Sequence, residues 1–392
     1  MRLSSLQYSE NDGTTEEWSL DPLRLGQINL LVGKNAIGKT RVLNVIGALS
    51  KLLCGKIQDQ LPNGHWKAIL ESSAHAPDQK VTYDLHINHR QIVEERYSVG
   101  RKVLMHRTAE GSGKISAAQL KNTKLGFLVS PTQLIALSKR DALQHPYLDE
   151  LCDWGASVRH YRFGSDLGKN MFPVFVNSPE VVRKADLDLE DNTAVVFKVA
   201  LDRFRDDFTK RLLDDLLKIG YDCSEVGLQP LEGFAITNGS IPSIPSVLYV
   251  QERDLEVRTT QTQMSQGMFR ALSTLVMVNA GTLVGSPQLV LVDDIGEGLD
   301  FDRASRLIKL LVEKASNHSF QLVMTTNDRF IMNAVPLEYW SVLHREGSHV
   351  SVFNSENSKK AFSEFRYLGL NNFDFFSGRH FLTNASNSQK PH

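Results

Sequence analysis

Apolar residues along this chain fall into two rhythms. Ile28-Asn29-Leu30-Leu31-Val32 and Leu289-Val290-Leu291-Val292 are short, almost unbroken apolar runs, the mark of strands buried on both faces of a parallel sheet. The first is followed by Arg41 to Leu49 and the second by Ala304 to Val312, both with apolar residues at helical spacing. Gln321 to Met324 and Trp340 to Leu343 read as further strands, and Ala271 to Val278 as an apolar helix. Between about Trp66 and Val129 the pattern is that of a strand-rich meander. Val81 to Ile87 alternates, Arg101 to Met105 is a second strand, and Gly111-Ser112-Gly113 is a turn. Leu125 to Val129 is expected to be a buried strand. From Pro131 to about Lys218 the pattern turns helical, with Leu148, Leu151 and Trp154 on one face and an apolar repeat from Ala194 to Leu217. A loop rich in Gly, Ser and Pro, Asn238 to Ser246, closes that block, and the remainder alternates strand and helix.

Composition narrows the class without identifying it. The chain has 392 residues, a net charge of −1, 41% hydrophobic and 23% charged residues, enough for two cores or one elaborate domain. Near-zero charge argues against an overall basic nucleic-acid binder and leaves a local basic patch open. Cys54, Cys152 and Cys223 are far apart and form no framework, which suits a reducing compartment. No apolar stretch is expected to reach the roughly 18 residues of a membrane span. Met1 to Gln7 lacks a signal-peptide core. The expected location is cytoplasmic, without a membrane.

The chemistry concentrates at the ends of the two apolar strands. Gly33-Lys34-Asn35-Ala36-Ile37-Gly38-Lys39-Thr40 spells G-x-x-x-x-G-K-[ST] between a strand and a helix, the context that makes it a phosphate loop. Its glycines let successive N–H groups point at phosphate oxygens, and the new helix, from Arg41 onward, presents its positive end there. Lys39 would reach the β- and γ-phosphates of a nucleotide, and the Thr40 hydroxyl would ligate Mg²⁺. The second apolar strand ends in Asp293-Asp294, carboxylates that face the ligand crevice if the strand is parallel. Asp293 would hold Mg²⁺, and Asp294 stands where a base could orient an attacking water.

Asp293-Asp294-Ile295-Gly296-Glu297-Gly298-Leu299-Asp300, preceded by Met264-Ser265-Gln266-Gly267-Met268, resembles the ABC-type ATPases that are not transporters, the SMC-like, RecF-like and OLD-like bacterial proteins often called AAA ATPases. Serine and glycine at a helix start also form an ordinary cap; it is their place before the acidic strand, in the family's order, that favours a signature motif. The resemblance covers residues of about 25–50 and 255–345 by motif. It implies an α/β P-loop fold of ABC-ATPase type, in which a mixed sheet carries an antiparallel β subdomain and an inserted helical lobe. Its domains would be a first part of the nucleotide-binding lobe at 1–135, a helical lobe at 136–245, and the rest of the nucleotide-binding lobe at 246–392. It implies ATP and Mg²⁺ as cofactors, and two copies that sandwich the nucleotide. Asn35, Gly38, Lys39 and Thr40 would act in cis, Ser265 and Gly267 in trans, and Asp300 would lie in the loop at the dimer interface. Gln133, by position, is either a magnesium-sensing glutamine or a plain surface residue.

Three positions depart from the family pattern. The usual catalytic glutamate is Asp294, one methylene shorter; the switch histidine is Asn327; and Gln266 stands where glycine is usual. Slow hydrolysis is expected, with Glu297 a weaker alternative base. Arg270 reads better as a solvated helix residue than as a phosphate or partner contact. Arg203, Arg205, Lys210 and Arg211, interleaved with Asp206, Asp207, Asp214 and Asp215, read as a mixed-charge helix surface. Pro131 to Gln263 is too short for a long coiled coil, and no Toprim motif is present. The leading functional expectation is an ATP-driven dimerising switch acting on a separate effector such as a nuclease or toxin, a role the resemblance places in anti-phage defence. A RecF-like DNA-binding ATPase in repair and a non-hydrolysing nucleotide scaffold are the alternatives, so DNA stays open as a partner.

Overall fold

The computed structural model describes residues 1–58, 60–76, 79–121, 123–163, 167–174, 192–231, 236–238, 241–243, 245–284, 289–318 and 320–382. These group into two compact units, one built on Met1–Val158 and Pro336 onward, the other on Arg159–Ser286 and Val290–Val335.

In the first unit the strand Ile28–Val32 is buried at every position and pairs in parallel with Trp340–Glu346. Trp340–Glu346 turns back into His349–Asn354, which runs parallel to Trp18–Arg24. From there the sheet continues antiparallel through Arg2–Glu10, Gly64–Glu71, Val81–Asn88, Gln91–Val99, Lys102–Arg107, Ser112–Ala117 and Thr123–Leu128. The result is a mixed sheet with an antiparallel meander. Val81–Asn88 alternates buried and half-exposed residues along its length, as its period of two requires. The helix Lys39–Leu53 lies on the sheet, where Trp66 Nε1 donates to Val45 O at 3.1 Å. It also touches the helix Pro146–Ser157 at Gly155, whose hypothetical Cβ would stand 2.8 Å from Leu53 Cβ.

One strand differs from its expectation. Thr123–Leu128 is exposed at nearly every position, with Leu128 at 75% of its surface. It is the last strand in this unit's sheet, and its leucines have no further layer to enter.

The second unit is mixed as well. Val158–Arg162, Leu289–Asp293 and Gln321–Thr325 are sheet neighbours in that order. Val158–Arg162 falls inside the stretch expected to be helical; Val-Arg-His-Tyr-Arg has no apolar run to betray it. The long helix Thr193–Lys218 forms where the apolar repeat predicts one, with a break at Arg205 (φ 48°, ψ −126°). Cys223–Pro230 and Ser246–Glu252 pair antiparallel, and the stretch expected to be a loop at 238–246 contains the short strand Ile241–Ser243, which pairs with Ile236–Asn238; residues 239, 240 and 244 of that stretch lie outside the described residues. The helix Gln266–Val284 is, against expectation, long and apolar enough to cross a membrane, but 78% of its apolar window is buried within the protein, the position of a core helix. Phe301–His318 and Arg329–Ala334 complete the unit's main helices.

Candidate nucleotide site

The strand Ile28–Val32 delivers its chain directly into the glycine turn, and the turn delivers it into Lys39–Leu53. Both glycines are required by their surroundings. A Cβ on Gly33 would lie 2.9 Å from Ile37 Cγ2 and 3.1 Å from Leu343 O. Gly38 caps the helix in the left-handed region (φ 112°), with the Trp18 ring 3.3 Å from where its Cβ would be. Ala36 also has positive φ, 61°, and its carbonyl accepts from Arg345 at 3.3 Å. Lys34, Asn35 and Ala36 are exposed at the tip, Ile37 half-buried behind them.

Lys39 is only 6% exposed, and its amine donates to the carbonyls of Gly33 at 2.9 Å and Lys34 at 3.3 Å. The cation therefore lies folded across the mouth of its own turn. Gly38 offers no side-chain cap, and the first helical turn carries no acidic residue. Those N–H groups and the positive end of the helix dipole suit an anion. Thr40 is exposed at the second helical position. Arg41 forms an ion pair with Glu10 and lies over the Trp18 ring, 4.4 Å from its centroid.

In the second unit, Leu289–Asp293 is buried throughout and ends on Asp293, 7% exposed. Thr325, at the end of the neighbouring strand, donates its hydroxyl to Asp293 Oδ1 at 2.7 Å and accepts from the Asp294 N–H at 2.8 Å. One hydroxyl thus orients both members of the acidic pair. Asp294 has φ 50°, and Asn327 Nδ2 donates to its Oδ1 at 3.4 Å.

The signature-like segment meets the loop after this strand. Ser265 Oγ accepts from Met268 N at 3.1 Å, so Ser265 does cap the helix Gln266–Val284. A Cβ on Gly267 would fall 2.3 Å from Gly298 O, so only glycine fits that contact. Arg270 is not on a solvated face. It is 7% exposed and donates to Glu297 O at 2.9 Å, because the Gly296–Gly298 loop, both glycines at positive φ, folds over it. Asp300 caps Phe301–His318 through the Arg303 N–H at 3.0 Å, and this bond holds its carboxyl below the ordinary range.

Gln133 is exposed in the loop after Thr123–Leu128, its carbonyl accepting from Arg107 at 2.9 Å. That loop is held by a residue with no sequence signal of its own. Glu95, fully buried, accepts from Ile135 N at 2.7 Å, Ala136 N at 2.9 Å and Tyr83 OH at 3.0 Å. Burial pushes its carboxyl up, partly offset by those donors and by Arg107. Gln261 is equally silent in the sequence. It is fully buried, accepts from Leu248 N at 2.9 Å and donates to Lys169 O at 2.8 Å, fixing the approach to Ser265. Asp215 does not belong to a charged surface. It is 3% exposed and bound to Lys314 and Asn279, because its side of the helix packs inward.

No family model matches the chain, and no curated protein matches it. Solved structures do. An Smc head bound to the C-winged helix domain of ScpA superposes with a TM-score of 0.54 at 13% identity, covering 92% of this chain and 100% of the other. An Smc head domain with an extended coiled coil, bound to the C-terminal domain of ScpA derived from Pyrococcus furiosus, gives 0.49 at 12% identity, covering 93% and 99%. The SMC head domain from Thermotoga maritima gives 0.43 at 13% identity, covering 91% and 100%. The first superposition carries the conclusion: this chain has the fold of an SMC head, an ABC-type P-loop ATPase fold of mixed α/β structure.

Proposed function

We propose that this protein binds Mg–ATP, hydrolyses it slowly, and uses ATP to bring two copies together head to head. The observation that carries the reading is the phosphate loop, a glycine-capped helix start with Lys39 folded over it and no acidic residue in its first turn. The groups present fit the cofactor. Backbone N–H groups and Lys39 suit phosphate oxygens, and the Thr40 hydroxyl and Asp293 carboxylate are the hard oxygen donors magnesium takes. Bound magnesium would neutralise charge on the β- and γ-phosphates.

The residues then divide the work. Lys34 to Arg41 hold the triphosphate, Lys39 as its main cation. Asp294 orients the attacking water and accepts its proton, and Asn327 steadies Asp294. The aspartate's short reach is the reason for a low rate. Gln133 would sense the metal from its loop. Ser265 and Gly267 would act on the nucleotide of the second copy, with Asp300 in the loop beside them. As in the resemblance, the three parts 1–135, 136–245 and 246–392 would serve as two nucleotide-lobe segments and an inserted lobe. The partner that reads the switch would be a separate polypeptide, as the Smc head bound to a ScpA domain suggests. A nuclease or toxin effector, in cytoplasmic anti-phage defence, is the version of this role that the resemblance favours.

The test is ATP turnover and molecular mass for wild type, Lys39→Ala and Asp294→Asn, each with and without duplex DNA. Asp294→Asn should lose turnover by about 10²-fold or more, the usual contribution of a general base, and accumulate as an ATP-bound dimer. Lys39→Ala should neither bind ATP nor dimerise. Wild-type protein that binds no ATP would end the proposal. Stimulation by DNA with steep salt dependence would move the assignment to a RecF-like clamp.

A further inference from the structure

The outward face of the meander carries a row of cations that the nucleotide site does not use. Arg96 stands opposite His106, and His106 opposite Lys114, on three successive strands. Lys124 stands opposite Ser116, one pleat along. Directly opposed residues, and residues two apart on one strand, project from the same face. All four side chains, three of them Arg or Lys, therefore point to one side, around a cavity of about 430 Å³ that Val103 and Gly113 also line. Gly126, opposite Lys114 and on the same face, bears no side chain and leaves that position open.

Two acids share this face: Asp84, opposite Arg96, is bound to His65, outside the row, at 2.6 Å, and Glu94 is bound to His106, within the row, at 3.1 Å. Among the described residues, no ion pair or hydrogen bond holds the head groups of Arg96, Lys114 or Lys124. Like charges on neighbouring strands oppose sheet stability. Folding alone gives no reason to gather them, whereas a bound anion would. A guanidinium that binds in a fork, at one end of a row with two ammonium groups, matches the oxygens of phosphate.

We infer that this cradle binds phosphate groups, carried either by a phosphorylated small molecule or by the backbone of a single nucleic-acid strand. It is a site separate from the phosphate loop. Its test therefore uses the full-length Lys39→Ala protein, in which binding at that loop is disabled.

Tripolyphosphate is titrated by calorimetry, and a short labelled oligothymidylate by fluorescence anisotropy. At least one should bind. Replacing Arg96, Lys114 and Lys124 together by Gln should weaken it about tenfold or more, as the loss of charged hydrogen-bond partners requires. Lys114→Ala alone, a truncation at an exposed position, should weaken it several-fold and guards against misfolding of the triple variant. Oligothymidylate affinity should fall with a log–log salt slope of about −2, near 0.7 for each of three contacts. Tighter tripolyphosphate binding identifies the small-molecule source, and tighter oligothymidylate binding the strand. If neither probe binds, or if folded variants bind as tightly as their parent, the inference is overturned.

Discussion

Asn327 donates its side-chain amide to Asp294 Oδ1 at 3.4 Å, so two of the positions at which this chain departs from the ABC-type pattern touch each other. The aspartate and the asparagine, which the resemblance sets in the places of the catalytic glutamate and the switch histidine, form a pair. Asp294 is further fixed by its backbone, with φ at 50° and its N–H on the Thr325 hydroxyl at 2.8 Å. An aspartate tolerates positive φ better than most residues. In the proposed mechanism the amide would aim the carboxylate without itself carrying a proton.

If Asn327 steadies the base, Asn327→Ala should lower kcat for ATP about fivefold, the equivalent of one hydrogen bond of about 1 kcal/mol. KM should stay near its wild-type value. Asp294→Glu combined with Asn327→His restores the family pattern at both positions and should turn over faster than wild type. Steady-state phosphate release decides the matter. A rise in KM at unchanged kcat for Asn327→Ala would show that Asn327 binds nucleotide without orienting the base.

Gly267→Ala asks whether the signature segment depends on its contact with the loop after the acidic strand. The added methyl would press on Gly298 O from 2.3 Å, closer than real contacts allow. Gly298 is at φ 82° and cannot relax without disturbing Arg270, which donates to the neighbouring Glu297 carbonyl. A stability loss of about 1–3 kcal/mol is expected from this overpacking, along with loss of ATP-dependent dimerisation. Urea unfolding and light scattering read the two effects. A variant as stable as wild type would show that the loop moves freely.

What could be read from the sequence is what the chain keeps local. Strand, glycine turn and helix are contiguous between Ile28 and Leu53, and Leu289–Asp293 displays its burial in four successive apolar letters. Partners distant in the chain are harder to read. Val158–Arg162 looks polar because its strand character comes from Leu289–Asp293, far along the sequence. Thr123–Leu128 looks buried because Leu-Gly-Phe-Leu is apolar, yet its place at the end of the sheet exposes it. Glu95, Asp215 and Arg270 carry charges that composition assigns to the surface. Each is buried because its partners, Ile135, Lys314 and Glu297 among them, arrive from other elements.

Glu95 gives the protein a pH dependence of known sign. Burial raises its folded pKa above the unfolded value. The stability from this group is therefore complete below an unfolded pKa of about 4.3 and declines as pH rises through the folded value. Glu95→Gln removes the titration and leaves an amide nitrogen facing a backbone donor. The variant should be less stable by about 1–3 kcal/mol at acid pH, the cost of a lost acceptor for a buried N–H. The gap should narrow as pH rises. Unfolding midpoints across the acid-to-neutral range test this, and parallel profiles would refute it.

The buried triad of the second unit supplies the sharpest energetic test. Asp215 accepts from Asn279 Nδ2 at 2.7 Å and pairs with Lys314 Nζ at 2.7 Å, while Lys314 also donates to Asn279 Oδ1 at 2.9 Å. The members come from Thr193–Lys218, Gln266–Val284 and Phe301–His318, so the cluster ties three helices together. Lys314→Met leaves a carboxylate at 3% exposure without its cation. That should cost about 3–5 kcal/mol, as breaking a buried pair from one side does. Asp215→Asn in the same chain removes the uncompensated charge and should recover part of the loss. Urea unfolding of the two single variants and the double variant closes the cycle, with an expected coupling of about 0.5–3 kcal/mol. Strictly additive losses would mean that Asp215 and Lys314 stabilise the helices independently.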